Sequence, residues 1–172
     1  VLVMVLGMLP TVAIAADTAP TEIDSADAFA AMEAGGSYKL TKDIEISEPY
    51  TNFSGTFDGN GHTIELDITA SGKYTALFTS LQGMSGGTIV KNLTVKGKVD
   101  GGDNDYTAGI AATAATANGA VTIENCKNEA EITGYRYIGG ILGSCKLSTP
   151  VTILGCANTG NITATGSYVG GI

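Results

Sequence analysis

Tryptophan is absent from this 172-residue chain, aromatic residues make up 6% and charged residues 15%, and there is a single histidine. So little charge, beside many β-branched residues, excludes an intrinsically disordered chain. The residues that dominate helical bundles and coiled coils, at helical spacing, are missing as well. No cluster or stripe of Lys and Arg occurs, and the net charge is −8, so a phosphate backbone would find no electrostatic footprint. An anionic membrane surface is disfavoured for the same reason. No phosphate-binding glycine loop is found. What is abundant is glycine, with 24 residues, together with 22 Thr, 15 Ile and 10 Val. That mixture predicts an all-β protein with many tight corners.

The first fifteen residues carry no charge. Val1 to Ala15 is an apolar run ending Ala13-Ile14-Ala15, the pattern of a secretory h-region and its small-residue cleavage site. It is short for a membrane span, which needs about 20 residues. We read 1–15 as a signal peptide lacking its basic start, 16–23 as a linker and 24–172 as one folded unit cut off at its C-terminal end. The expected location is secreted or cell surface, with no membrane insertion of the mature chain and no nucleic-acid partner.

Asp24 or Ser25 can cap a short helix over about 25–34, with Phe29 and Met32 on one face and Gly35-Gly36 as its stop. Ile44 and Ile46 alternate with Asp43 and Glu45, and Ile64, Leu66 and Ile68 with Glu65 and Asp67, which is strand periodicity. Between them, Asp58-Gly59 and Asn60-Gly61 signal a turn.

From residue 88 onward the sequence repeats. Lys91–Val99 aligns with Glu124–Ile132 and with Leu154–Ile162, and a second marker recurs as Ala108-Gly109-Ile110, Gly139-Gly140-Ile141 and Gly170-Gly171-Ile172. One alternating set is apolar or small: Leu93, Val95, Gly97, Val99; Cys126, Asn128, Ala130, Ile132; Cys156, Asn158, Gly160, Ile162. A period of two inside a period of about thirty predicts a solenoid, in which each copy is one coil and like stacks on like about 4.8 Å apart. An antiparallel sandwich carries the same alternation, but repeats this regular argue against it.

Phe53-Ser54-Gly55-Thr56-Phe57-Asp58-Gly59-Asn60-Gly61-His62-Thr63-Ile64 resembles the opening rung of bacterial right-handed parallel β-helices. Gly139-Gly140-Ile141-Leu142-Gly143, after an Ile-x-Asn-Cys stretch, is similar to the Glug motif of bacterial surface proteins, a repeat also found beside immunoglobulin A-specific zinc metallopeptidases. The resemblance covers about residues 38 to 172. It implies a right-handed parallel β-helix, here with a short N-terminal capping helix over its open edge, and export. It implies no catalytic residue, since the family is defined by its repeat. His-Glu-x-x-His is missing, because His62 is not followed by Glu. Ala108-Gly109-Ile110-Ala111 departs from Gly-Gly-Ile-x-Gly, which predicts a looser first coil.

The candidate sites all have a plain structural reading. Cys126 and Cys156 fall in one inward column, expected as stacked thiols rather than a bridge; Cys145 lies outside it. Asn128 and Asn158 predict an asparagine ladder. Lys96 over Glu129 and Lys98 over Glu131 predict cross-coil charge pairs. Asp100, Asp103 and Asp105 form a carboxylate-rich loop suited to calcium, without a known calcium spacing. His62, and Asp58, Glu65 and Asp67 as paired carboxylates, complete the set. No catalytic, cofactor-binding or metal residue is assigned. The function expected is a non-catalytic surface scaffold or adhesion module with a glycan or protein ligand. The alternatives are an accessory module of a secreted zinc metallopeptidase and a carbohydrate-active β-helix enzyme.

Overall fold

A computed structural model of the chain describes residues 19–116, 119–146 and 148–172. The signal peptide expected over 1–15 lies outside the described residues. The fold is a parallel β-solenoid of about four turns with one short helix. Every strand pairing is parallel, and the strands collect into four sheets that run along the stack.

The first sheet takes Thr21–Ile23, Ser37–Leu40, Thr56–Asp58, Thr88–Lys91, Val121–Glu124 and Val151–Leu154 in that order. The second begins with Ile44–Ile46, Thr63–Thr69 and Thr94–Asp100 and continues through the later coils to Ile162–Ala164. Phe78–Gly83, Ala111–Thr116 and Leu142–Cys145 form the third; Asp105–Ala108, Arg136–Gly139 and Val169–Gly170 form the fourth. Tyr50 and Phe53 bridge to Phe78 and Leu81, so the third sheet reaches back one further turn.

The register is the one the repeats predict. Lys91 pairs with Glu124 and Glu124 with Leu154; Val99 pairs with Ile132 and Ile132 with Ile162; Ala108 pairs with Gly139 and Gly139 with Gly170. Leu93, Val95, Val99, Cys126, Asn128, Ala130 and Ile132 are buried, while their last-coil equivalents Cys156, Asn158 and Ile162 are half-buried. A strand that alternates inward and outward cannot bury its inner face alone. Each coil supplies that burial to the next.

The corners have their own chemistry. Asn92, Asn125 and Gly155 turn the chain from the first sheet to the second with φ of 51°, 51° and 63°. Asparagine and glycine enter this left-handed region at least cost. Asn125 also donates from Nδ2 to Asn92 Oδ1 at 3.4 Å, tying one corner to the next.

Three expectations are corrected. The linker does not extend to residue 23, because Thr21–Ile23 is already a strand on Tyr38–Leu40. The helix is shorter than 25–34 and spans Ala26–Ala30, capped by the Ser25 hydroxyl, which accepts from Ala28 N at 3.3 Å. It stops early because the Tyr38 hydroxyl claims the next backbone: it accepts from Glu33 N at 2.6 Å and donates to Glu33 O at 2.9 Å. The coil of Ala108-Gly109-Ile110 is not loose, since Ala108 and Ile110 are fully buried.

Phe29 from the helix is buried among Tyr50, Phe57 and Phe78, each with ring centroids 5.8 Å away. Edge-on contacts of this kind add about 0.5–1.5 kcal/mol each beyond the area they bury. The first turn is thus closed by an aromatic plug, and the helix serves mainly to carry it.

Candidate functional site

The sequence-predicted residues are placed first. Asn128 and Asn158 do form a ladder: Asn128 Nδ2 donates to Asn158 Oδ1 at 2.7 Å, and each amide also donates to the carbonyl two residues on, Ala130 O and Gly160 O, at 3.2 Å. All of these bonds are internal to the solenoid. The three cysteines are free. Cys126 is buried, and desolvation pushes its thiol up to about 12; it also contacts the Cys156 thiol.

The charge pairs differ from the expected columns. Glu131 does pair with Lys98 in register, but Lys98 Nζ binds Asp100 Oδ2 at 3.1 Å. Lys96 Nζ turns to Glu65 Oε2 at 2.9 Å in the preceding coil, and Glu129 is taken by Lys127. Backbone register fixes where a Cβ starts. A four-carbon stem then reaches whichever carboxylate lies nearest.

The carboxylate-rich loop does not converge. Asp100 accepts from Thr133 Oγ1 at 2.8 Å and from Gly102 N at 3.0 Å, and the Thr133 bond leads the effects that hold its carboxyl below the ordinary range. Asp105 is turned away by Arg136, which binds it through Nε at 2.9 Å and Nη2 at 3.0 Å. Among the described residues, no three of His, Cys, Asp and Glu stand together in a way that would hold a metal ion. His62 Nδ1 lies 3.2 Å from Asp43 Oδ1, which also accepts from Thr63 N at 2.9 Å. Asp58 is held by Asn60 N, Asn92 Nδ2 and Lys91. Asp58 lies in the first sheet and Glu65 and Asp67 in the second, so the three do not share one sheet.

The feature that sequence reading missed is an open cleft of about 570 Å³ on the outer face of the third sheet. Its volume falls in the usual range of ligand sites, about 300–1,000 Å³. Ser80, Gln82, Thr113 and Ala115 form its floor. Ser80 and Thr113 are register partners on adjacent strands, which sets two hydroxyls side by side. One wall is the segment around Glu48, Thr51 and Asn52, and the other is Ser71 to Tyr74. Lys146 closes one end.

The wall around Glu48, Thr51 and Asn52 is tied to the floor. Thr79 N donates to Tyr50 O at 2.9 Å and Gln82 N to Phe53 O at 2.7 Å. The Gln82 side chain donates to Ser80 Oγ at 2.7 Å and to Asn52 Oδ1 at 3.4 Å. On the opposite wall, Tyr74 begins a column of rings: Tyr74 on Tyr106, Tyr106 on Tyr137 and Tyr137 on Tyr168, with centroids 5.1, 4.8 and 4.9 Å apart. The last two pairs are within 7° of parallel. Tyr74 keeps 43% of its surface exposed. Lys73 Nζ sits 4.9 Å from the Tyr106 ring centroid, a cation–π contact that fixes its ammonium at the rim.

The cleft's charge is unlike that of the molecule. Six of the nine basic residues are ion-paired: Lys42, Lys91, Lys96, Lys98, Lys127 and Arg136. The other three are Lys39, Lys73 and Lys146, and two of these line the cleft. Glu48 is its one carboxylate.

A signal for the tyrosine column was present in the sequence, because Tyr106, Tyr137 and Tyr168 recur at the interval of the Gly-Ile marker. The cleft itself left none. Its residues come from five separate stretches that only the stacking of coils brings together.

No family model and no solved structure matches the chain. Halomucin of Haloquadratum walsbyi is 31% identical over 160 residues, an alignment that takes in 77% of this chain and 2% of halomucin. The chain therefore spans a small part of that protein's length. It is a β-solenoid module similar to part of halomucin.

Proposed function

We propose that this chain is a non-catalytic surface module, a stiff solenoid that presents the cleft of its third sheet to an extracellular glycan. The observation that carries this reading is the lining. Ser71, Thr79, Ser80, Gln82, Thr113, Thr51 and Asn52 offer hydroxyls and amides, which donate and accept, around an exposed tyrosine ring. A sugar presents the complementary set, a ring of hydroxyls with an apolar face. The wall at Asn52 is held by backbone and side-chain bonds and Tyr74 by stacking on Tyr106 before any ligand arrives, so little ordering cost falls on binding.

The likeness to part of halomucin, a cell-surface protein, supports the surface location. The Glug-like Gly-Gly-Ile coils support the same reading. Two of the carboxylates considered for glycoside chemistry, Asp58 and Glu65, are committed to structural partners, which favours binding over turnover.

The test is a glycan array probed with the purified chain, followed by titration calorimetry on any hit with the wild type and with Tyr74→Ala. Saturable binding weakened by Tyr74→Ala is the expected result. Array hits that Tyr74→Ala and Thr113→Ala leave unchanged would place the ligand elsewhere. Release of products from the bound glycan would make the module an enzyme.

A further inference from the structure

Building on the glycan reading above, we infer that the cleft is a site for an acidic saccharide, with the ammonium groups of Lys73 and Lys146 as its two anion anchors. The argument begins with pairing. In a chain of net charge −8 acids outnumber bases, and six of the nine cations are ion-paired among the described residues. An unpaired lysine in such a field is the exception, and two of the three exceptions line one cleft. This cleft is lined by two lysines that have no ion-pair partner among the described residues and by one carboxylate, Glu48, with Asp105 within electrostatic reach of Lys73, so an anionic ligand that approaches the molecule is favoured here over its surroundings.

Geometry adds to the charge count. Lys73 does not hang free in solvent: its ammonium lies over the Tyr106 ring and 5.9 Å from the Tyr74 centroid. It stands beside the one aromatic surface on which a sugar ring would rest. Lys146 follows directly on the third-sheet strand Leu142–Cys145, so its backbone is fixed by the sheet. A carboxylate or sulfate on one sugar unit would meet Lys73 at the tyrosine wall, and another would meet Lys146 at the far end.

A polymer with charges at intervals suits this arrangement better than an acidic peptide. Extended peptides bind solenoids and sheets by adding to a strand edge or by filling apolar side-chain pockets. The floor here is a sheet face, and it is lined by hydroxyls and amides.

The probe is a short oligouronate and the same oligomer fully methyl-esterified, which keeps every hydroxyl and removes the charge. Calorimetry is run at low and at physiological salt on the wild type, on Lys73→Gln/Lys146→Gln and on Lys73→Arg/Lys146→Arg. The free acid is expected to bind about tenfold or more tightly than the ester, with an affinity that falls as salt rises. The Gln pair is expected to bring the acid down to the level of the ester measured on the same variant, and the Arg pair to keep most of the preference. Equal binding of acid and ester would overturn the acidic-saccharide inference and leave the glycan reading standing. Acid binding that ignores the Gln pair would also overturn it, by placing the anion site elsewhere. Polyglutamate binding as tight as the oligouronate would show charge recognition without a saccharide, and would overturn it too. If neither oligomer binds and the array is blank, the glycan reading falls along with it.

Discussion

The amide of Asn158 occupies the space that a side chain on Gly140 would need. A Cβ built on Gly140 would stand 2.4 Å from Asn158 Cγ and 2.3 Å from the Gly171 carbonyl oxygen. One coil earlier Gly109 bears the same relation to Asn128, with Oδ1 2.3 Å from its virtual Cβ. The repeated asparagine and the repeated Gly-Ile marker are therefore two sides of one contact, although they lie far apart in the sequence of each coil.

Gly140→Ala tests this contact. The residue is not in the left-handed region, so the cost is steric alone. Backbone cannot yield as a flexible side chain would, and overpacking of this kind costs about 1–3 kcal/mol. A urea titration is expected to show a lower midpoint with an unchanged slope.

Asn128→Ala should cost more. Asn128 is fully buried and its amide accepts from Ala130 N at 3.2 Å as well as donating to Ala130 O and Asn158 Oδ1. Removal orphans a buried N–H and two acceptors and leaves a void, for an expected loss of about 2–4 kcal/mol. Asn158→Ala, in the half-buried last coil, is expected to cost clearly less in the same titration. Equal losses would mean that the ladder is not what stabilises the coil.

Thiol labelling gives a third check. Cys145 is exposed, whereas Cys126 is buried and its thiol is pushed up to about 12. At neutral pH a disulfide reagent should modify Cys145 rapidly and Cys126 only after unfolding. The linkage has a definite sign. The folded state favours the protonated thiol, so this stability is complete below the ordinary value of 9.0 and is lost as pH rises from there toward about 12.

Acid works on a different set. Asp43, Asp100 and Asp105 are all held below the ordinary value of 3.8: Asp43 by the Thr63 N–H, Asp100 by Thr133 and Asp105 by Arg136. A depressed carboxylate contributes stability above its unfolded value, and that contribution disappears as pH falls through the folded one. Urea midpoints are expected to hold down to about pH 4 and to drop below it. Asp100→Asn should flatten that drop. Asp43 is exposed and Asp100 and Asp105 are only half-buried, so the change is expected to be modest.

Phe29→Ala addresses the cap. The ring is 2% exposed and meets three aromatic neighbours, so truncation is expected to cost about 3–5 kcal/mol. Because coils of a solenoid are stabilised by their neighbours, hydrogen exchange should quicken most in residues 21–58 and less toward residue 139. A uniform rise along the chain would show that the solenoid unfolds as one unit.

The fold was legible because its information is periodic. Lys91, Glu124 and Leu154 could be aligned by eye, and those three are in fact stacked. The asparagine ladder was legible for the same reason. The ion pairs were not, because Lys96 chooses between Glu65 below it and Glu129 above it, and a repeat does not encode that choice. The helix boundary was hidden by a side-chain bond from the next strand, the Tyr38 hydroxyl on the Glu33 backbone. The cleft lay deepest, since Glu48, Lys73 and Lys146 belong to different turns and have no repeat partner in common.

The tyrosine column has an optical consequence. Tyr106, Tyr137 and Tyr168 hold left-handed φ of 60°, 57° and 65°, an unusual backbone for a bulky side chain, and they hold it in step with one another. Four phenol chromophores therefore stand in a near-parallel file, close enough for their transition dipoles to couple. With no indole present, the near-ultraviolet dichroism of the chain comes chiefly from its seven tyrosines, four of which stand in this file. Each coil that peels away would remove one oscillator from the end of the row, so the share of the signal that the file supplies falls with the number of turns still wound.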